Sequence, residues 1–375
     1  MSYRIAAALL LAALAACSTD SNKLDKDAAK LVEFKQTAAL EVRWHVDIGH
    51  AGNNALLPAI MHDAVYAANA KGQLYRLERA TGKRVWRSDS GFTISAGVGA
   101  GDGLVLVGGE KGELAAFAED GTLRWKTKVS SEVLNAPQIA DGVVVVRTGD
   151  GRINGLDAAD GKRLWLYERA TPSLVVRSHA GVTIERGTVY AGFAGGKLAA
   201  IDLATGIVKW EAVVSQPRGN TELERISDII SAPVTDGEQV CAVAFQGRVA
   251  CFSLAQGGLL WSRELSSDKG MALLRNNLYV TDDSGVVLAL DKNSGSSVWK
   301  NDQLSQRRNS APLALGNHLL LGDYEGYLHA LNIEDGSLVA RLKTDGGPLM
   351  TAPLELDGGL LVQSLDGDLY SVALR

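Results

Sequence analysis

Along most of the chain, short runs with apolar residues at every second position are cut by breaks rich in Gly and Asp. The stretch at 189–210 is representative: VYAGF, a glycine pair, KLAAIDL, ATG and IVKW. Alternation of period two between turn residues predicts β-hairpins, and the 3.6-residue apolar spacing of a helical solenoid is missing. The pattern itself recurs. Tryptophans at 44, 86, 125, 165, 210, 261 and 299 are 42, 39, 40, 45, 51 and 38 residues apart. Most close the same phrase, as in GQLYRLERATGKRVW, GRINGLDAADGKRLW and GVVLALDKNSGSSVW. A further copy, GYLHALNIEDGSLVA, puts Ala340 where tryptophan is expected, and a last one, GDLYSVALR, is cut short by the C-terminus. A second landmark lies upstream in each unit, at Ala136-Pro137, Ala232-Pro233, Ala311-Pro312 and Ala352-Pro353, with Ala96-Gly97 and Ala180-Gly181 as variants. Four short strands per unit of about 40 residues is the spacing of a propeller blade. The fold class expected is all-β, an eight-bladed β-propeller. The tryptophans are expected to fill the spaces between blades, and the repeated Gly and Asp to serve turns.

The last unit begins at Ala352 and runs out before its fourth strand. EVRWHVDI (41–48) has the character of a strand without a blade of its own. It is expected to complete the last blade, joining the two chain ends and removing a free sheet edge. The propeller then occupies 41–375. Ahead of it, Arg4 precedes an unbroken apolar run from Ile5 to Ala16. That run is too short for a bilayer-spanning helix of about 20 residues but suits a signal-peptide core. Its end, Leu14-Ala15-Ala16-Cys17, resembles a bacterial lipobox. The resemblance implies a signal peptide over 1–16, lipid on Cys17 by diacylation of the thiol and acylation of the new N-terminus, and, with Ser18 next, export to the outer membrane. Several acyl chains make a lasting anchor. Residues 17–40 are expected to be a tether, with a short helical turn near Ala28 to Phe34.

Charge and composition exclude some functions. With 38 Lys+Arg against 43 Asp+Glu, the net charge is −5, the wrong sign for a nucleic-acid binder. The 41 glycines fit a fold of many tight turns. Three cysteines cannot build a disulfide scaffold or a four-cysteine metal site. Cys241 and Cys251 fall on neighbouring strands of one predicted hairpin, either as a cross-strand disulfide or as buried thiols; both readings are structural. The histidines at 45, 50, 62, 179, 318 and 329 show no metal-ligand spacing, and no HExxH, GxSxG or P-loop motif occurs. Asp282, Asp283 and Asp323 read as turn residues. No catalytic residue, metal or cofactor is expected. The alternative is a PQQ-dependent dehydrogenase-like periplasmic enzyme, since such enzymes share the eight-bladed repeat. It would need hard oxygen ligands for Ca²⁺ and long insertions to cover the quinone, for which eight units of this length leave no room.

Function on a repeat scaffold tends to sit where the repeat is broken. The connection from each tryptophan to the next landmark takes 9 to 12 residues in regular units, but 15 after Trp165 and 22 after Trp210. Both insertions join the outer strand of one blade to the inner strand of the next, so they are expected side by side on one face. The first, Glu168 to His179, sets Leu174, Val175 and Val176 beside Arg177. The second, Ser215 to Ile230, carries a capping-box pattern at Asn220/Thr221 and Glu224 that predicts one helical turn. Aliphatics ringed by Arg and Asp suit a protein-docking patch. The other reading is that the apolar side chains fold back over the blade edge and the charges pair locally.

The lipobox, the eight repeats, PSLVVR (172–177), GNTELERISD (219–228) and GDYEGYLHAL (322–331) together resemble the BamB (formerly YfgL) family of PQQ-like-repeat outer-membrane lipoproteins. The resemblance covers essentially the whole chain, and GNTELERISD is its most specific part. It implies a non-enzymatic scaffold of the β-barrel assembly (BAM) complex, facing the periplasm. That scaffold docks on the periplasmic POTRA domains of BamA beside the other subunits and assists barrel insertion. Direct binding of unfolded outer-membrane proteins is a further activity the resemblance leaves open. The family's BamA-contacting positions fall on Leu174, Val176, Arg177, Asp228 and Ile230. Val176 stands for a leucine and keeps its character; Ile230 stands for an acidic residue, so the patch is expected to be more apolar here.

Overall fold

The computed structural model describes residues 27–375 apart from Asn53, Ala55 and Ser178. The signal segment and Cys17 lie outside the described residues. Eight four-stranded antiparallel sheets follow one another around a ring. Blade one is Ala59–Met61, Ala64–Ala68, Gln73–Glu78 and Arg84–Asp89, read from the axis outward. Blade eight holds Leu354–Leu356, Gly359–Gln363 and Asp368–Leu374, and its outer strand is Leu40–Asp47 from the other end of the chain. Leu40 pairs with Leu374 and Asp47 with Asp368, as the truncated last repeat predicts. Burial follows position in the blade. The second strands, such as Ala64–Ala68 and Gln239–Val243, are buried along their whole length because blades flank both faces. Outer strands such as Arg84–Asp89 alternate exposed and half-buried positions.

The tryptophans hold neighbouring blades together by one repeated contact. Each indole lies against the glycine of the turn between the third and fourth strands of the next blade, Gly82 on Trp44 and Gly206 on Trp165 for example. At all seven such glycines a Cβ would come within 2.4–2.9 Å of the ring or its neighbours, and φ is positive. Only glycine meets both demands. Each indole N–H also donates to a carbonyl of that same next turn, at 2.6–3.2 Å. The amphipathic ring thus buries its body and satisfies its donor at once.

Blade seven explains its own exception. Ala340 occupies the tryptophan position, opposite Ala330 just as Trp299 stands opposite Ala289. The next blade, however, has no third-to-fourth turn, because its third strand ends at Leu374 and its fourth begins at Leu40. No glycine turn exists for an indole to rest on. Ala38 and Leu40 join Ala340 in the core cluster there.

The stretch before the first strand runs over the outside of blade seven, with no helical turn in 28–36. The Ala29 N–H donates to the Ser305 carbonyl, those of Thr37 and Ala38 to Val339, and that of Ala39 to Arg375. Arg307 and Arg341 donate to the carbonyls of Ala29 and Val32, at 3.0 Å each. Arg341 also lies 5.0 Å over the Phe34 ring. The weak helical signal at Ala28 to Phe34 therefore loses to backbone hydrogen bonds and side-chain contacts supplied by the propeller. Val339 is 7% exposed under this strap, against 49% for Val85, 51% for Leu164 and 52% for Leu260 at the same position of other blades.

Behind the strap lies a buried polar cluster. His329 Nε2 meets Asp323 Oδ2 at 2.9 Å, and Arg307 donates to the same oxygen at 2.8 and 2.9 Å. Arg341 Nε donates to His329 Nδ1 at 3.3 Å, which makes Nδ1 the unprotonated nitrogen and Nε2–H the donor to Asp323. Burial holds the imidazole below its ordinary pKa although Asp323 opposes this. Asp323 also accepts the N–H groups of Glu325 and Tyr327, so the turn reading is correct but incomplete. In blade five, Cys241 and Cys251 face each other in register and form a disulfide, with Cα atoms 4.1 Å apart.

Candidate functional site

All connections from an outer strand to the next inner strand emerge at one end of the ring. They surround a funnel of about 670 Å³ at the mouth of the axis, lined in turn by Leu57, Asn135, Val176, Ile230, Ala311 and Met350. The two long connections, 168–181 and 214–233, stand next to each other on this rim. Asp228 joins them. Its Oδ2 accepts the Val176 N–H and its Oδ1 the Gly195 N–H, both at 2.9 Å. Its carbonyl accepts the Phe245 N–H at 2.8 Å. Asp228 is 3% exposed. A carboxylate with both oxygens occupied by backbone N–H donors clips the two loops together. Ile229, next in sequence, is buried, and its N–H donates to the Phe193 carbonyl.

Arg177 points the other way, across the preceding connection. Its guanidinium forks onto Glu132, Nε to Oε1 at 3.0 Å and Nη2 to Oε2 at 2.8 Å. That pairing holds the Glu132 carboxyl below its usual range against the opposing effect of burial. The side chain of Arg177 still keeps 62% of its surface in solvent. His179 Nδ1 and the His179 carbonyl tie the same loop to Leu134 and Asn135. Leu174 and Val175 are left on top, each 40% exposed, with Val176 and Ile230 half-buried between them and the funnel.

The second insertion forms its single turn as the capping box predicts. Glu224 accepts the N–H groups of Asn220 and Thr221, and Thr221 Oγ1 accepts the N–H of Glu224. Leu223 protrudes from that turn at 67% exposure. The five residues singled out from sequence therefore come together, but in two roles. Leu174, Val176, Arg177 and Ile230 make surface; Asp228 shapes it. The residues that hold the site from the blades were not visible in the insertions. Glu132, Gly195, Phe193 and Arg147 belong to regular parts of the repeat, and Arg147 alone leaves a signal, a cation closing the apolar run VVVVR.

A family model described as "Outer membrane protein assembly factor BamB" matches residues 70–301. A protein of that name from Nitrosomonas eutropha is 44% identical over 96% of this chain and 88% of its own length. The chain belongs to the BamB family. A second BamB, from Bordetella pertussis, is 37% identical over 96% of this chain and 94% of its own. The crystal structure of BamB from Moraxella catarrhalis superimposes with a TM-score of 0.82 at 27% identity, covering 89% of this chain and all of that one. A quinohemoprotein alcohol dehydrogenase from Pseudomonas putida HK5 reaches a TM-score of 0.73 at 13% identity, over 92% of this chain and 78% of its own, a likeness of fold alone. Membership of the BamB family sets the chain among assembly factors and not among quinone-dependent enzymes.

Proposed function

We propose that this protein is a lipid-anchored scaffold of outer-membrane β-barrel assembly. It docks on the periplasmic POTRA domains of BamA through the rim formed by its two insertions. The observation that carries the reading is that the two longest blade connections, 168–181 and 214–233, are clipped to each other by Asp228. They present Leu174, Val175 and Arg177 on one face, an apolar centre with a charged edge. The strap supports the anchoring half of the proposal. Its first contact, Ala29 with Ser305, is at the same end of the ring as the insertions. Twelve residues separate Ala29 from Cys17, at most about 40 Å of extended chain. An outer-membrane anchor on Cys17 would therefore keep the docking face close to the periplasmic side of that membrane.

The test is capture of BamA POTRA domains by the soluble body, residues 18–375, alongside Arg177→Glu. The substitution puts two carboxylates together at Glu132 and removes the exposed cation, while leaving the blades untouched. Specific capture by the wild type and its loss in a variant with unchanged circular dichroism are expected. Equal capture by both would remove the first insertion from the interface, and no capture by a folded wild type would overturn the docking reading.

A further inference from the structure

Arg147 ends the second strand of blade three, after four buried valines, and sits directly beneath the junction of the two insertions. It lines a cavity of about 100 Å³ together with Thr148, Val176, Phe193 and Asp228. Its guanidinium lies 5.4 Å from the centroid of the Phe193 ring. Nη1 is buried, and among the described residues no atom accepts a hydrogen bond from it. The one acid that acts on it is Asp228, and both oxygens of Asp228 are already occupied by the N–H groups of Val176 and Gly195. Burial pulls the Arg147 pKa down to about 10, with Asp228 opposing only part of that effect. A guanidinium does not shed its proton at physiological pH. It therefore stays a half-buried cation with a buried Nη1 that lacks an acceptor among the described residues, and with only Asp228 opposing the cost of its desolvation.

We propose that Arg147 receives a carboxylate side chain of the docking partner. An aspartate or glutamate would enter the cavity between the insertions and pair with the guanidinium fork, while its apolar neighbours settle on Leu174 and Val175. This rests on the docking reading given above and adds the chemistry by which the partner is recognised. Size and charge select the group. A cavity of about 150 Å³ holds a benzene ring, so one of 100 Å³ holds a carboxylate with one or two methylenes. Asp228 and Asp150 also line the cavity, so a dianionic phosphate would set two negative charges against them where a carboxylate sets one. A neutral amide would leave the charge unmatched. The fork geometry of arginine favours a carboxylate in two parallel hydrogen bonds. A half-buried arginine below the exposed aliphatics Leu174 and Val175 has the composition of a binding hot spot.

The test measures POTRA affinity by calorimetry for the wild type, Arg147→Met and Arg147→Lys, with the thermal midpoint of each free protein. Arg147→Met is expected to weaken binding 10- to 100-fold while the free protein melts no lower than the wild type, since a partly desolvated cation with an unpartnered Nη1 has been removed. Arg147→Lys, a point charge without the fork, is expected to fall between. A double-mutant cycle against Asp→Asn and Glu→Gln changes across the POTRA domains should find one acid coupled to Arg147. Wild-type affinity in Arg147→Met, or a cycle in which no acid couples, overturns the proposal and leaves the docking reading standing. A wild type that does not bind overturns the docking reading itself. If Arg147→Met fails to fold, the cycle with Arg147→Lys decides the matter alone.

Discussion

The repeat makes a tempting prediction at blade seven that the structure reverses. Seven units carry tryptophan and one carries Ala340, so a consensus argument would restore the indole. The geometry says that Ala340→Trp destabilises. Ala340 has no exposed surface and lies in a cluster with Leu40, Val372 and Ala38. The glycine turn that receives every other indole is missing from blade eight, where the chain ends meet instead. Overpacking a filled site costs about 1–3 kcal/mol. The indole N–H would also lack the carbonyl its counterparts find, and a buried unsatisfied donor costs about 1–3 kcal/mol more. A loss of roughly 2–6 kcal/mol is expected, against a loss of about 3–5 kcal/mol for the opposite change, Trp299→Ala. Urea unfolding followed by circular dichroism reads both. Deleting residues 27–39 should shrink the penalty at 340, because the strap is part of what fills the site. An Ala340→Trp protein as stable as the wild type would refute the explanation, and with it the claim that the tryptophans are spaced by their glycine turns.

Other expectations follow from single contacts. The disulfide closes a short loop, with a sequence separation of 10; replacing Cys241 and Cys251 by alanine should cost about 3 kcal/mol by loop-entropy reasoning, read as a lower urea midpoint. Asp228→Asn leaves one acceptor where two were used, so amide exchange at Val176 or Gly195 should speed up while the blades stay protected. His329 is held neutral by burial among Asp323, Arg307, Arg341 and Tyr327. The unfolded chain takes up a proton below about 6.5 where the folded chain resists it. Stability should therefore fall as pH drops through that range, and less steeply in His329→Gln. Arg341→Ala removes the hydrogen bond to Val32 and the cation over Phe34, and trypsin should then cut at Lys30 or Lys35 faster than in the wild type.

Much of the fold was legible because a propeller writes its architecture into spacing. The tryptophan interval gives the blade, the truncated last unit gives the closure by residues 41–48, and the excess after Trp165 and Trp210 gives two long connections side by side on one rim. What escaped the sequence is of a different kind. The strap over blade seven is held by backbone carbonyls of Ala29 and Val32, and carbonyls carry no residue identity to read. The role of Asp228 depends on two N–H groups, one from each of two other segments, so its residue type fitted a contact and a clip equally well. Arg147 and Glu132 stand in ordinary repeat positions, and only the fold brings them under the insertions.

The strap and Ala340 also bear on how one blade of a repeat comes to differ from the others. Elsewhere an outer strand leaves a branched or long apolar residue half in solvent, as at Val85, Leu164 and Leu260. In blade seven the strap covers that position, and the cluster of Arg307, Asp323, His329 and Arg341 fixes the strap in place. Closure by the N-terminal strand removes the turn that a tryptophan needs, and the segment leading to that strand then covers the surface the tryptophan would have supported. The loss of the indole and the polar cluster that holds the strap thus go with one choice, closing the ring with a strand from the opposite terminus. The first described contact of that segment, Ala29 with Ser305, lies at the end of the ring that carries the insertions.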